Sequence, residues 1–402
     1  GAGVIYSAVN SIMELPDPLD ELTQDVGLRA TLNKSWGSVF AGYGHNWYNN
    51  HIESTLFDNP LRATDQAYTA AVGTTAPPLG GPATARVVGP PDNDADRGSI
   101  GFFLKFAKQT RVTGDISIGQ WNQNAAFFPY TTNTTVLTTA NVNASTTAAM
   151  PFSSLNGKIK TTSYNFGFST RPADGLGIRL RYRSYDMNNQ TPTFIRAGYV
   201  LADRSWAATT ATAADPFGYA TADPYGSKTN RFDAQVSYDL KVLTVEGAFR
   251  NSQITRQYRE ATKGAETGYT IAAISRLDDW LMFRGSWDKA KRTASGYDST
   301  VSIGLQADES ERESTRTGAD LELTPNSKMS FTFAYARHNN DYPNRPNRST
   351  VAAGTVNGLL NAKYDTYTVE GDFTPMEGAD FGFFYTYEKD FSRTQTGGTG
   401  TV

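Results

Sequence analysis

The chain has no cysteine among its 402 residues. That excludes disulfides, thiol chemistry, thiolate zinc sites, iron–sulfur clusters and covalent haem attachment through C-x-x-C-H. Histidine is nearly as scarce, at 3, too few to ligate a row of haems. Neither sign of charge is in marked excess: 37 Lys and Arg stand against 40 Asp and Glu, a formal net charge of −3. That argues against a nucleic-acid binder that works by neutralising phosphates. Long apolar runs are missing too. No stretch reaches the ~18 residues of a transmembrane helix, and no charged-then-apolar leader opens the chain. It begins GAGVIYSAV, which reads as the middle of a strand.

What is present favours strands and turns. Hydrophobic content is only 39%, yet aromatics reach 12%, and there are 36 Gly. Tyr, Phe, Thr, Asn and Gly suit pleated sheets and tight turns better than helices. Alternation with period two dominates the pattern. Val26, Leu28, Ala30 and Leu32 alternate with polar or small residues, as do Phe232, Ala234, Val236 and Tyr238. Leu281, Phe283, Gly285 and Trp287 alternate with Met282, Arg284, Ser286 and Asp288. The stretch GLGIRLRYRSYD is the sharpest case: Arg179, Arg181 and Arg183 occupy one face, and Leu176, Ile178, Leu180 and Tyr182 the other.

The connections sort into two kinds that alternate. Short turns are expected at Asn33–Gly37, Gln109–Arg111, Arg171–Gly175, Asp239–Lys241, Arg276–Asp279, Thr324–Lys328 and Thr374–Asp380, rich in turn formers such as RPADG and TPNSK. Between them run polar stretches: Asn49–Arg97, Asn122–Gly157, Asn188–Lys228, a shorter one near Ala261, Thr293–Ser314 and His338–Asn361. Short turn then long loop is the plan of an outer-membrane barrel with short periplasmic turns and long external loops. The expected fold is therefore all-β, a large antiparallel transmembrane β-barrel forming a single domain over residues 1–402. A soluble sandwich is the alternative, but it would not sort its loops so strictly. Seven short turns imply seven hairpins, and a further strand is read at Val4–Val9 before the loop NSIMELPDPLDE. Even-stranded barrels leave both termini in the periplasm, so the chain is read as a portion of a larger barrel. Trp121, Tyr185 and Tyr258 sit near strand ends, where rings would meet lipid headgroups.

An ordered set of short motifs lies on this pattern: Phe57-Asp58-Asn59-Pro60-Leu61-Arg62, Phe127-Phe128-Pro129-Tyr130-Thr131-Thr132-Asn133, Tyr182-Arg183-Ser184-Tyr185-Asp186, Arg256-Gln257-Tyr258-Arg259-Glu260, Asp341-Tyr342-Pro343 and Phe384-Tyr385-Thr386-Tyr387-Glu388. In order and spacing it resembles the decahaem-associated outer-membrane proteins of the MtrB/PioB family, over nearly the whole chain. The resemblance implies a porin-like sheath in the bacterial outer membrane. A periplasmic multihaem c-type cytochrome would sit in its lumen and carry electrons across, and an extracellular multihaem cytochrome would dock outside. The barrel itself would bind no cofactor, the haem being the partner's. Some members begin with Cys-x-x-Cys, which this sequence lacks.

An arginine on the lipid face would cost roughly 2–4 kcal/mol at the midplane. The charged rows are therefore expected to face the lumen: Arg179, Arg181, Arg183, Arg231, Asp233, Asp239, Glu246, Arg250, Arg284 and Asp288. Three readings of them stay open. They form a self-neutralising ladder, or a surface complementary to an inserted cytochrome, or a solute-selectivity ring in an open diffusion porin.

Other candidates are weaker. Asp92, Asp94 and Asp96 lie two apart in PPDNDADRGS, as the first ligands of a calcium loop do. Gly98 falls one place late and Phe103 stands where the bidentate Glu belongs, so a solvated acidic loop is the plainer reading. His45 and His51 flank Trp47 at a strand–loop junction, a metal pair or simply polar end residues, and His338 is read as a loop residue. No G-x-S-x-G, H-E-x-x-H or phosphate loop occurs, and no enzymatic activity is expected.

Overall fold

A computed structural model describes residues 16, 18–69, 79–106, 109–201, 203–208, 223–259, 261–297, 310–343 and 358–395. The strand read at Val4–Val9, most of the loop that follows it, and parts of the later external loops lie outside the described residues. In chain order the strands are β1 (Glu21–Lys34), β2 (Gly37–Asn50), β3 (Ser54–Asp58), β4 (Gln66–Thr69), β5 (Leu79–Gly81), β6 (Thr84–Val88), β7 (Asn93–Phe106), β8 (Thr110–Gln123), β9 (Gly157–Ala173) and β10 (Leu176–Asn189). They continue as β11 (Gly198–Leu201), β12 (Ser205–Ala208), β13 (Ser227–Asp239), β14 (Leu243–Arg256), β15 (Ala261–Asp278), β16 (Leu281–Tyr297), β17 (Arg312–Asn326), β18 (Met329–Asp341), β19 (Gly358–Met376) and β20 (Ala379–Gln395).

One 14-stranded sheet takes the long strands in the order β1-β2-β7-β8-β9-β10-β13-β14-β15-β16-β17-β18-β19-β20. Every pairing in it is antiparallel. β1 and β20 are each paired on one side. The small ribbons β3–β6, β4–β5 and β11–β12 belong to two of the long connections. Each tight turn falls within or overlaps a stretch read from the sequence, and all lie at one end of the sheet. Between β9 and β10 the turn needs Gly175, whose φ is +75° and where a Cβ would meet the Asp239 carbonyl oxygen at 2.7 Å.

Strands are longer than their apolar segments, from 13 residues in β18 to 19 in β19. About 10 tilted residues span the hydrocarbon. The excess extends toward the long loops, where the strands turn polar on both faces. Trp287 is followed on its own face by Lys289, Tyr335 by Arg337, and Tyr387 by Lys389. Several loop bounds shift as a result: β7 begins at Asn93, β16 runs on to Tyr297, β17 begins at Arg312, and β18 runs to Asp341, so that His338 lies on a strand.

The sheet has no apolar core of the soluble kind. Leu28 is 77% exposed, Ile118 60% and Phe381 63%, while the buried apolar residues include the small Ala261, Ala272, Ala290 and Ala362. A soluble sandwich would hide one face against a second sheet. An apolar surface this extensive is stable only against lipid or another apolar body.

Candidate functional site: the polar wall and its loop cap

Residues opposite one another in an antiparallel pair share a face, so the registers assign every side of the wall. Leu180 lies opposite Phe168 and Ala234, and Tyr182 opposite Phe166 and Phe232. That is the apolar, outward face. Arg179 lies opposite Ser169 and Gln235, Arg181 opposite Gly167 and Asp233, and Arg183 opposite Asn165 and Arg231. Following the registers onward, Asp233 faces Arg250, Ser237 faces Glu246, Thr270 faces Asp288 and Ile274 faces Arg284. Asp239 keeps the same parity at the turn end, opposite Thr244. All ten charges singled out in the sequence thus share the polar face.

Register also decides which of them meet. Asp233 accepts from Arg183 Nη2 at 3.0 Å and pairs with Arg231 Nη2 at 2.8 Å. Arg250 Nη2 reaches across the whole of β15 to Asp288 Oδ1 at 2.8 Å, and Thr270 Oγ1 donates to the other oxygen at 2.6 Å. The crossing is open because Gly268 lies beneath it; a Cβ there would meet Arg250 Nε at 2.8 Å. Likewise Arg312 on β17 donates to Glu266 on β15 at 2.7 Å. From β13 to β17 the wall therefore neutralises itself in several places.

On β8 to β10 it does not. Arg111, Arg179 and Arg181 have no ion pair among the described residues, and the nearby Asp115 accepts instead from Asn165 Nδ2 at 3.0 Å. These groups line a recess of about 560 Å³ with Thr113, Gly167 and Ser169. Gly167 puts no side chain on this face, and Arg111, Arg179 and Arg181 are all exposed.

Other expected residues take different places. Trp121 lies opposite Ala95 and Ile159, and Tyr185 opposite Thr229 and Ser163. Both have the parity of the arginines, so they sit on the polar face and cannot belong to an outward girdle. Tyr258 follows β14, at a φ of +54° in the connection to β15. The outward rings are others. Tyr335, Tyr367 and Tyr387 form a ladder across β18–β20, with centroids 5.0 and 6.2 Å apart, and Tyr43, Trp47, Tyr164 and Trp287 share that face. Counting by two along each strand would have found them.

Asp92, Asp94 and Asp96 do not converge as a loop would make them. β7 is extended from Asn93, and each carboxylate has a separate partner. Asp92 accepts from the Asn50 backbone N–H at 2.7 Å, Asp94 from Asn122 Nδ2 at 2.9 Å, and Asp96 from the Tyr43 hydroxyl while meeting His45 Nδ1 at 2.7 Å. His45 stacks on Trp47, with centroids 4.0 Å apart, and His51 turns to Asp20 at 3.1 Å, so the two histidines serve different carboxylates. His338 meets Ser314 Oγ at 2.9 Å on the polar face.

Above the polar wall of β2–β10, the three longest described connections lock together. The segment Phe127–Asn133 is their hub. Thr131 Oγ1 donates to Asp203 Oδ1 at 2.9 Å, Asn133 Nδ2 donates to the Asp203 carbonyl at 2.9 Å, and Thr132 Oγ1 donates to the Thr84 carbonyl. Asn133 is fully buried. Asp65, from the first connection, accepts from Ala83 N at 2.7 Å, Thr134 N at 2.9 Å and Thr134 Oγ1 at 2.7 Å. Burial works to raise its pKa, but these donors outweigh it and hold the carboxyl below the ordinary aspartate range. Tyr130 packs edge-on against Trp206 at 5.3 Å, and burial pushes its hydroxyl pKa up. Where the three connections leave β7–β10 there is a recess of about 440 Å³ bordered by Trp121, Ile159, Leu155, Pro192 and Pro224. The motif at 127–133 thus ties three connections into a cap.

The family described as "Putative outer membrane beta-barrel porin, MtrB/PioB" matches residues 2–401. No curated protein matches the chain. Among solved structures, the FrpB iron transporter from Neisseria meningitidis is 11% identical with a TM-score of 0.53, over 94% of this chain and 53% of that one. The siderophore receptor PirA from Acinetobacter baumannii is 10% identical with a TM-score of 0.52, over 93% and 51%. The alcaligin outer-membrane receptor FauA from Bordetella pertussis is 10% identical with a TM-score of 0.51, over 92% and 54%. At such identities the likeness is one of fold alone. The chain spans about half the length of these structures.

Proposed function

The chain belongs to the MtrB/PioB family of outer-membrane β-barrel porins, and from that premise we propose that it is a sheath for electron transfer. Its lumen houses a periplasmic multihaem c-type cytochrome, and the barrel insulates that haem wire from lipid and fixes its depth. The barrel binds no cofactor itself, and its role is mechanical and electrostatic rather than catalytic. The observation that carries this reading is the unpaired row of Arg111, Arg179 and Arg181 on the polar wall. Exposed guanidinium groups suit bidentate binding of carboxylates, including haem propionates. The cap built on Phe127–Asn133 is a ready surface for an extracellular multihaem cytochrome.

Copurification tests the proposal. Expressed beside its cytochrome and extracted in detergent, the barrel should carry haem absorbance through size exclusion; a colourless barrel sinks the sheath. A second reading, passive diffusion of an unidentified solute, is favoured by the wet, charged polar face. Planar-bilayer conductance separates the two: the sheath complex is plugged, and a diffusion porin stays open.

A further inference from the structure

The charges of the polar face are segregated around the sheet. Across β7–β10 that face carries Arg97, Lys105, Arg111, Arg179, Arg181 and Arg183, with Asp115 the one acid among them. Across β18–β20 it carries Glu370, Asp372, Glu388 and Asp390, and the paired positions of that face hold no Lys or Arg. Glu370, Glu388 and Asp390 have no ion pair among the described residues, and Asp372 accepts a hydrogen bond from Ser330 Oγ at 3.2 Å. Five strands separate β10 from β18 in the sheet. At about 4.8 Å per strand the two sectors lie roughly 29 Å apart along the wall. That is about three and a half Debye lengths at physiological salt, so they do not neutralise each other.

A wall that only needed to stay wet would balance itself strand by strand, as β13–β17 does. The geometry points to a rotational key. Resting on the sheath reading, we propose that the inserted cytochrome has a dipolar surface. Its carboxylate and haem-propionate face seats on β7–β10, and its lysine-rich face seats on β18–β20. Complementary fields of this kind set orientation more than affinity. A fixed rotation would in turn fix which haem edges face the cap and which face the periplasm.

The test uses the full chain purified with its cytochrome and treated with a water-soluble carbodiimide, which couples amines to carboxylates. In the wild-type complex, cytochrome lysines should couple to Glu370, Glu388 or Asp390. The R179K/R181K barrel keeps its charge and adds amines. Positions 179 and 181 should then couple to cytochrome carboxylates on a different face of the guest. R179E/R181E should lower the haem retained per barrel by about tenfold at low salt, since like charges now meet. Heat-modifiable migration of R179K/R181K reports that the barrel has folded. The key falls, and the sheath stands, if haem is retained while positions 179 and 181 couple to nothing. It falls equally if both sectors couple to one face of the guest, or if R179E/R181E retains haem unchanged. A wild-type barrel without haem that conducts overturns both, and assigns the split to the transverse field of an open pore.

Discussion

On β13–β17 three arginines of the polar face, Arg231, Arg250 and Arg312, meet carboxylates of the same wall, whereas on β8–β10 Arg111, Arg179 and Arg181 meet none among the described residues. Both regions share one sheet, one alternation and similar strand lengths. They differ in what lies opposite each guanidinium. Arg250 has an open crossing over Gly268 to Asp288, while Arg181 has Gly167 on one side and, on the other, an aspartate that already serves Arg183 and Arg231. Paired charge is wall structure; unpaired charge stays available to something else. The loops follow the same division. The cap built on Phe127–Asn133 joins the connections that flank β7–β10, above the unpaired side.

Gly268 is the most sensitive position of the paired wall. Gly268→Val puts a branched side chain where Arg250 crosses and should cost about 1–3 kcal/mol, read as a lower urea midpoint of the refolded barrel. Gly167→Val on the unpaired wall should cost less, because the atom it first meets is the Thr113 hydroxyl, the end of a rotatable side chain. Next comes the cap. Asp65→Ala leaves the Ala83 and Thr134 donors without their carboxylate acceptor; the Thr134 donors are exposed and can turn to water, so the cap should weaken locally by about 1 kcal/mol, seen as faster hydrogen exchange over 127–136. The same contact carries a pH signature. The Asp65 pKa is lowered in the folded state, so its stabilisation is present above the ordinary aspartate pKa and is lost as pH falls through the lowered value. Exchange in the cap should therefore rise in acid, and Asp65→Ala should abolish that rise.

Smaller effects sharpen the contrast within the wall. Asp233→Ala strands Arg183 and Arg231 and should cost about 1 kcal/mol, no more, because the arginines are a third or more exposed to a wet lumen. Arg179→Gln with Arg181→Gln should move stability by less than about 0.5 kcal/mol. Equal costs in the two regions would erase the distinction drawn between them.

Much of the wall was legible in the residues. Period two placed every predicted charge on one face, and turn chemistry located the hairpins. Parity alone also contained the answer for Tyr185, which is odd-numbered like Arg179, Arg181 and Arg183 on an unbroken run of β10. Proximity to a strand end was the wrong guide for it and for Trp121, because height along a strand says nothing about face. The acidic triplet misled in the opposite way. Spacing by two suits a calcium loop, but it equally suits one face of a strand, and β7 is a strand there.

The order of residues is enough to give the two-faced strands, the alternation of tight turns with long connections, and hence a membrane barrel. Those properties rest on neighbours two to five residues apart, where sterics and hydrophobicity act locally. Tertiary structure decided which charges are satisfied and which are left over. Arg250 finds Asp288 38 residues away, and Asp65 finds Thr134 69 residues away. Such meetings depend on the register of every hairpin between them and on where a glycine leaves room, and no local pattern records either.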